Sequence, residues 1–440
     1  MRYVEPIKSI ILTLLVLLSI SLTFMIWSYE PEYEFLEEPE VQSVAIGEEV
    51  SFESIVQPYK ALYVQEENLY GSVSVKAINQ TMEMLSNMEL GNVRIAKENA
   101  SVATINNLMS DQEQVVLFFN ATIPLESFSR VLHFKENDVN KILFDRMVIE
   151  TSKVKSDQTV EIRFVNTKDN TIYRAAATVK SELAILNNLE ELVKYSFEYE
   201  QFERENEFTF YLPKSNTDVI QFTYFIDEIS QDLLKSALFT DASILQKTVE
   251  GNQEKYYDSM SLMTFDTASK TMNYVNASAE NGAIESAGKL VNDTFNVVND
   301  HGGFTADFRL SSIDVPQKMV EYQLFFQGHP VYSTSTLTRI VTTWGNDRLF
   351  RYRRPYYMLD TDITTEKTVK ELESGAQVIE SLNAQIEKPS SIDDLVIGYY
   401  LVQDENTSFF ILQPSWFVVS GSSWTRLTPQ EQGGVVNGLE

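Results

Sequence analysis

From Ser9 to Tyr29 the chain carries no charged residue. At a rise of about 1.5 Å per residue this run reaches about 31 Å, the thickness of a bilayer's hydrocarbon core, and predicts a transmembrane helix over 9–29. Arg2 and Lys8 precede it and Glu30, Glu32 and Glu34 follow it. The basic flank stays in the cytoplasm, so 1–8 is expected inside and everything after the helix outside: a single-pass protein of the cell membrane. Trp27 and Tyr29 suit the outer aromatic belt. A cleaved signal peptide is the competing reading, with Ser19-Ile20-Ser21 as its cleavage site, but the apolar run continues through Phe24, Met25 and Ile26. Within the run, Ser9, Thr13, Val16, Ile20, Thr23 and Trp27 fall within about 40° of one line at 100° per residue. The stripe is either a seam for contact with another membrane helix or the ordinary Ser and Thr content of an anchor, each hydroxyl bonding its own i−4 carbonyl.

Glu30 to Glu53 holds nine Glu and no Lys or Arg, with Pro31 and Pro39. This segment, 30–53, is expected to be a solvated, self-repelling stalk. Beyond it, short apolar runs alternate with helical stretches. Helices are predicted over Val73–Met88, Ala100–Met109 and Leu183–Tyr195, and strands over Val115–Phe119, Ile142–Ile149, Val160–Val165 and Ile172–Val179, with Asp169-Asn170 as a hairpin turn. A second group of strands is predicted over Phe208–Leu212, Val219–Ile226, Ser261–Phe265 and Met272–Val275, whose aromatic alternation suits a half-buried sheet. A third group opens with a helix over Ile284–Val298. It continues with strands over Phe304–Leu310, Met319–Phe326 and Val331–Thr343, the last two joined by the turn Gln327-Gly328-His329-Pro330. A helix over Val369–Leu382 and strands over Leu395–Val402 and Phe409–Val419 complete it. Helix-then-hairpin thus recurs after about 85 residues, which suggests a duplication. Strands in succession without crossover helices make an α+β class of antiparallel sheets with packed helices. The expected division is an N-terminal α+β domain 54–195, a central mainly β domain 196–276 and a C-terminal α+β domain 277–440.

The formal charge of −28, from 35 Lys+Arg against 63 Asp+Glu, speaks against nucleic acid as a partner. With no Cys and three His there is little with which to build a metal site, and no cofactor is expected. No G-x-S-x-G, H-E-x-x-H or Walker loop occurs. His301-Gly302-Gly303 resembles an oxyanion-hole motif but lacks its nucleophile elbow, and Gly302 reads more simply as a helix C-cap. The expectation is therefore a non-enzyme. One basic concentration stands out: Arg339, Arg348, Arg351, Arg353 and Arg354, interleaved with aromatic residues. It is either a surface for an acidic partner or a charged strand face balanced by nearby acids.

The opening Tyr3-Val4-Glu5-Pro6-Ile7-Lys8-Ser9 through Thr23-Phe24-Met25-Ile26-Trp27-Ser28-Tyr29 resembles the anchor of the YycH family. Val320–Tyr332, Leu395–Tyr400 and Gln413-Pro414-Ser415-Trp416 resemble that family's C-terminal domain, which is similar in fold to YycI. The resemblance implies an extracytoplasmic α+β protein that binds a YycI-like protein and a WalK (YycG) sensor histidine kinase. It would modulate that kinase, and so cell-wall metabolism, without catalysis, in part through its membrane helix. Two rivals remain from the residues themselves: a ligand- or polymer-binding ectodomain, supported by Trp344, Trp416 and Trp424 if exposed, and a cell-wall hydrolase.

Overall fold

The computed structural model describes residues 12, 14–23, 45–65, 68–135, 141–151, 158–179, 182–279, 286–345, 348–364, 368–385, 392–404, 409–427 and 436–438. The chain divides into residues 1–43 and 44–440.

In the first unit Leu12 and 14–23 are helical, with exposed side chains. The Thr23 hydroxyl donates to the Ser19 carbonyl at 2.9 Å, the i−4 back-bond expected of a hydroxyl in an apolar helix. Among the described residues no helix is long and apolar enough to cross a membrane. Much of the span expected over 9–29, including Ser9, Thr13 and Trp27, lies outside the described residues, as does 30–44 of the expected stalk.

The second unit is built on two large sheets. Among the described residues the first has eleven strands, ordered Glu207–Pro213, Phe197–Arg204, Asn68–Ser72, Lys60–Gln65, Gln114–Pro124, Leu143–Glu150, Thr159–Asn166 and Thr171–Thr178, with short strands closing the far edge. The expected meander over 142–179 is present, and its turn residue Asn170 sits at φ +52°. Among the described residues the second sheet has sixteen strands. It runs from the hairpins of Gln246–Asn276 through Leu349–Pro355, Arg339–Trp344 and Met319–Phe326 to Asp394–Gln403, Phe409–Ser420 and Thr217–Glu228. Gln327 and Gly328, both with positive φ, form the two-residue turn between Met319–Phe326 and His329–Tyr332.

These pairings redistribute the strands expected to form a central domain over 196–276. Phe197–Arg204 joins the first sheet through Phe197↔Gly71, Thr217–Glu228 lies between Phe409–Ser420 and Tyr357–Asp362, and Thr271–Asn276 pairs with Leu349–Pro355. A hairpin with one apolar face needs further strands to cover its edges, and here both sheets supply them.

Several element boundaries differ from the sequence reading. The strand expected over 331–343 is interrupted between Tyr332 and Arg339, where Ser333 Oγ accepts from the Thr336 and Ser335 backbone and donates to the Leu401 carbonyl. Hydroxyl side chains bonding nearby backbone break a ladder in this way. The helix expected over 369–382 is a strand, Thr368–Leu372, paired with Thr217–Gln221, followed by a helix over Gly375–Gln385. The strand expected from Phe304 begins at Phe308. The helix-then-hairpin order does occur twice, as Ala287–Asp300 before Phe308–Phe326 and as Gly375–Gln385 before Asp394–Ser420.

The largest cluster of buried apolar residues draws on both sheets. The helices Val75–Ser86 and Glu182–Lys194 bury Ile78, Met82, Leu85 and Leu192, while Phe119, Phe128, Phe144 and Phe164 meet edge to face at 5.0 to 5.8 Å. The end of the supposed stalk is part of this body. The Ile46 N–H donates to the His301 carbonyl at 2.8 Å, Asn299 brackets the Val50 N–H and carbonyl, and Phe52 is buried against Phe295. Apolar Ile46, Val50 and Phe52 override the acidity of their neighbours, because three backbone groups and one ring find fixed partners.

That docking depends on a glycine cap. The Gly302 N–H donates to the Asn299 carbonyl and the Gly303 N–H to the Val298 carbonyl, a Schellman closure with Gly302 at φ +64°. A Cβ on Gly302 would lie 2.0 Å from the Gly47 carbonyl oxygen. Gly302→Ala is expected to cost about 1 to 3 kcal/mol of stability and to free residues 45–50 for cleavage in limited proteolysis. An unchanged digestion pattern would show that this contact does not hold the segment.

Candidate functional site

Charged residues embedded in apolar strands converge where the two sheets meet. Lys60 follows Tyr59 at the start of a buried strand, Lys60–Gln65, and Asp145 and Arg146 sit inside Leu143–Glu150. From the second sheet comes Asp394, the first residue of Asp394–Gln403. Its Oδ2 accepts from Lys60 Nζ at 3.1 Å and from the Tyr59 hydroxyl. Asp145 pairs with Arg146 at 2.9 Å and accepts from the Thr167 N–H and hydroxyl at 2.8 and 2.6 Å. Arg204 bridges the same junction, pairing with Glu207, donating to the Ile392 carbonyl at 3.1 Å and covering the Phe210 ring at 3.7 Å. The Phe118 ring lies under both Lys60 Nζ, at 4.8 Å, and the Arg146 guanidinium, at 4.6 Å.

Burial governs the protonation of this cluster. It pushes the Tyr59 hydroxyl well above its ordinary range, with the Asp394 charge adding to the effect, so Tyr59 remains a donor. Burial also lowers the Lys60 ammonium, against the opposing pull of Asp394. Arg146 is raised: burial opposes its charge, but Asp145, with Tyr59 and Asp394 behind it, outweighs that. The arrangement is a polar clasp between sheets with its cations matched by acids. Nothing in it is a nucleophile paired with a base.

Two concavities flank the clasp. A polar cleft of about 480 Å³ lies between the Asp145–Arg146 side and the Glu321, Gln323 and Arg339 side, with Tyr332 and Trp424 on its wall. A more apolar cavity of about 270 Å³ is lined by Phe197, Tyr199, Leu212, Phe222 and Trp416.

The five arginines expected on one surface are separated by the period of two of a β-strand. Arg351 and Arg353 point outward from Leu349–Pro355 and Arg348 is exposed beside it. Arg354, on the other face, is fully buried, with its guanidinium on the Thr305 hydroxyl, the Tyr352 hydroxyl and the Pro355 carbonyl. Arg339 is buried against Glu321 at 3.1 Å. The partner surface expected from all five is thus reduced to Arg348, Arg351 and Arg353. Of the expected membrane seam, the described Val16, Ile20 and Thr23 are exposed on their helix. Trp344, Trp416 and Trp424 are all buried, with Trp344 Nε1 on the Thr294 hydroxyl and Trp416 Nε1 on the Glu373 carbonyl, so they offer no exposed aromatic surface. His301 is buried and His329 half-buried, in separate surroundings, and His133 is exposed. Among the described residues no group of His, Asp and Glu could hold a metal ion.

Sequence reasoning missed the clasp. The signal was present, since Lys60 and Asp145-Arg146 interrupt otherwise apolar strands, where an isolated charge is costly unless paired. Its partner, Asp394, lies more than 300 residues further on and nothing local identifies it.

Residues 5–195 match the YycH protein N-terminal domain and residues 207–434 the YycH protein C-terminal domain. A Bacillus subtilis (strain 168) relative, "Two-component system WalR/WalK regulatory protein YycH", is 21% identical over 432 residues, 94% of each chain. The crystal structure of YycH from Bacillus subtilis is similar in fold, with a TM-score of 0.74 at 18% identity, over 87% of this chain and 98% of that one. With both family domains matched along nearly its whole length, this chain belongs to the YycH family.

Proposed function

We propose that this chain regulates a WalR/WalK-type two-component system by contact, without catalysis. The observation that carries the reading is the match to both YycH domains across 5–195 and 207–434, joined by a full-length relative that bears that regulatory name. In this reading 1–8 is cytoplasmic, 9–29 anchors the protein in the membrane and the two-sheet body lies outside the cell. Its partners are a WalK/YycG-like sensor histidine kinase and a YycI-like protein. Ser9, Thr13, Val16, Ile20 and Thr23 form the helix contact, and Arg348, Arg351 and Arg353 offer an outward cationic face for acidic groups. A ligand of this kind changes a kinase only by favouring one of its conformations, for which a coupling of about 1 to 3 kcal/mol suffices.

The back-bond from Thr23 to Ser19 occupies its hydroxyl hydrogen, so size rather than a donated bond would be its contribution at the seam. Thr13→Leu with Thr23→Leu is therefore expected to weaken a membrane two-hybrid signal with the kinase or its partner. Leu15→Val with Leu22→Val, on the opposite face, should leave it unchanged. Equal behaviour would remove the seam from the proposal. A kinase-dependent promoter that ignores deletion of this chain would remove the regulatory reading itself.

A further inference from the structure

The strand Thr217–Glu228 is paired unevenly along its length. Phe222–Phe225 pair with Phe409–Leu412, but Thr217–Gln221 pair with Thr368–Leu372 alone. Among the described residues no other strand lies beside that stretch, and its backbone takes one side-chain hydrogen bond, from the Tyr399 hydroxyl to the Ile220 carbonyl at 3.2 Å. A strand paired along one edge leaves alternate N–H and C=O groups of the other edge free to pair with one more strand. Thr217, Asp218, Val219 and Ile220 all line the apolar cavity of about 270 Å³. Successive side chains of a strand point to opposite faces, so four in a row on one wall put the backbone itself there. Phe197, on the same lining, is 57% exposed, which leaves an apolar ring open to an incoming group.

Polarity changes along this edge in steps of two residues. Asp218, Ile220 and Phe222 share one face by the strand's alternation. Ile220 and Phe222 are half-buried, whereas Asp218 is exposed and lies directly opposite Glu371, also exposed. Like charges so placed repel. Neither acid has an ion-pair partner among the described residues, and Glu371 takes only the Asn216 amide, at 3.0 Å. Lys60, which also lines the cavity, is already matched by Asp394. A chain laid antiparallel to this edge, as both paired neighbours are, meets Phe222, then Ile220, then the two acids. Its complementary pattern is apolar, apolar and basic at alternate residues.

We infer that Thr217–Gln221 binds an extended segment of a partner protein by strand addition, its apolar side chains entering the cavity and its basic one meeting Asp218 and Glu371. Main-chain bonds supply affinity and the alternation supplies selectivity. The site stands apart from the regulatory reading, since binding is measured without a kinase. The test uses the full-length chain in phosphatidylcholine nanodiscs, with empty nanodiscs as the blank. The probes are fluorescein-labelled hexapeptides with Val, Leu, Ile or Phe at the first and third residues, Lys at the fifth and Thr elsewhere, read by fluorescence polarisation. At least one should bind saturably, and its counterpart with Glu at the fifth residue about fivefold more weakly. Asp218→Lys, at an exposed position, should reverse that preference, and Phe197→Ser should weaken binding of the whole set. Methylating the peptide's amide nitrogens at alternate residues should weaken binding about tenfold or more in one register and spare it in the other, because only one set faces the strand. No saturable binding by any peptide overturns the proposal. So does a Lys-over-Glu preference that is absent or that Asp218→Lys leaves unchanged, and so does binding indifferent to both methylated registers. Dimers of the chain that dissociate on adding peptide would assign the edge to a second copy and overturn the partner.

Discussion

Asp394→Ala will lower the stability of the two-sheet body by about 3 to 5 kcal/mol, the scale for removing one partner from a buried pair. Lys60 and Asp394 have side-chain exposures of 6% and 14%, so water cannot replace the lost carboxylate. The substitution leaves two groups stranded: the Lys60 ammonium, whose charge burial already disfavours, and the Tyr59 hydroxyl. It also opens the clasp beside Arg146, which Asp394 helps to keep charged. Urea unfolding should show a lower midpoint with an unchanged slope. Asp394→Leu combined with Lys60→Met should recover most of the loss, because a pair of apolar side chains leaves no charge unmatched. A fall of less than about 1 kcal/mol in the single variant would mean that solvent reaches the pair and the clasp does not hold the sheets.

The second large effect follows pH. His301 is buried beside Arg354, and burial first, then that guanidinium, lowers its pKa from 6.5 to about 4. The Tyr352 hydroxyl lies 3.4 Å from its Nε2. The folded state therefore resists a proton that the unfolded chain accepts, and stability is full above pH 6.5 and declines as the pH falls toward 4. At about 1.4 kcal/mol per pKa unit the whole loss approaches about 3 kcal/mol. His329, half-buried and also lowered by desolvation, acts in the same direction. Unfolding free energies at pH 7.5 and 5 should differ less in His301→Gln than in the parent chain. Parallel pH dependences in the two proteins would show that His301 is not the group responsible.

The pattern of apolar residues made the local elements readable where packing obeyed it. Thr159–Asn166 and Thr171–Thr178 alternate around an Asn in a left-handed turn, and Gly302 ends its helix as a cap, so both followed from short-range chemistry. The failures had non-local causes. Val369 and Leu372 carry a helix-compatible spacing, but Thr217–Gln221 offers a strand edge that no local window contains. The arginine group was counted along the chain rather than by face; a period of two sends Tyr352 and Arg354 inward together and leaves Arg351 and Arg353 outside. Docking of 45–53 was hidden by its glutamates, although Ile46, Val50 and Phe52 were visible among them. The polar cleft was not legible at all, since its walls come from both sheets.

The clasp and the docked segment together impose an order on the chain's own assembly. Residues 46–60 take their final partners from Asn299, His301, Arg309 and Asp394. A ribosome delivers the first of those partners some 240 residues later and the last more than 300 later. The opening segment of the body, the part that follows the proposed membrane helix in the chain, must therefore wait until almost the entire polypeptide has emerged. Closures of such long range are slow, and they expose unpaired strand edges meanwhile. A chain truncated before Asp394 would leave its beginning as unfinished as its end.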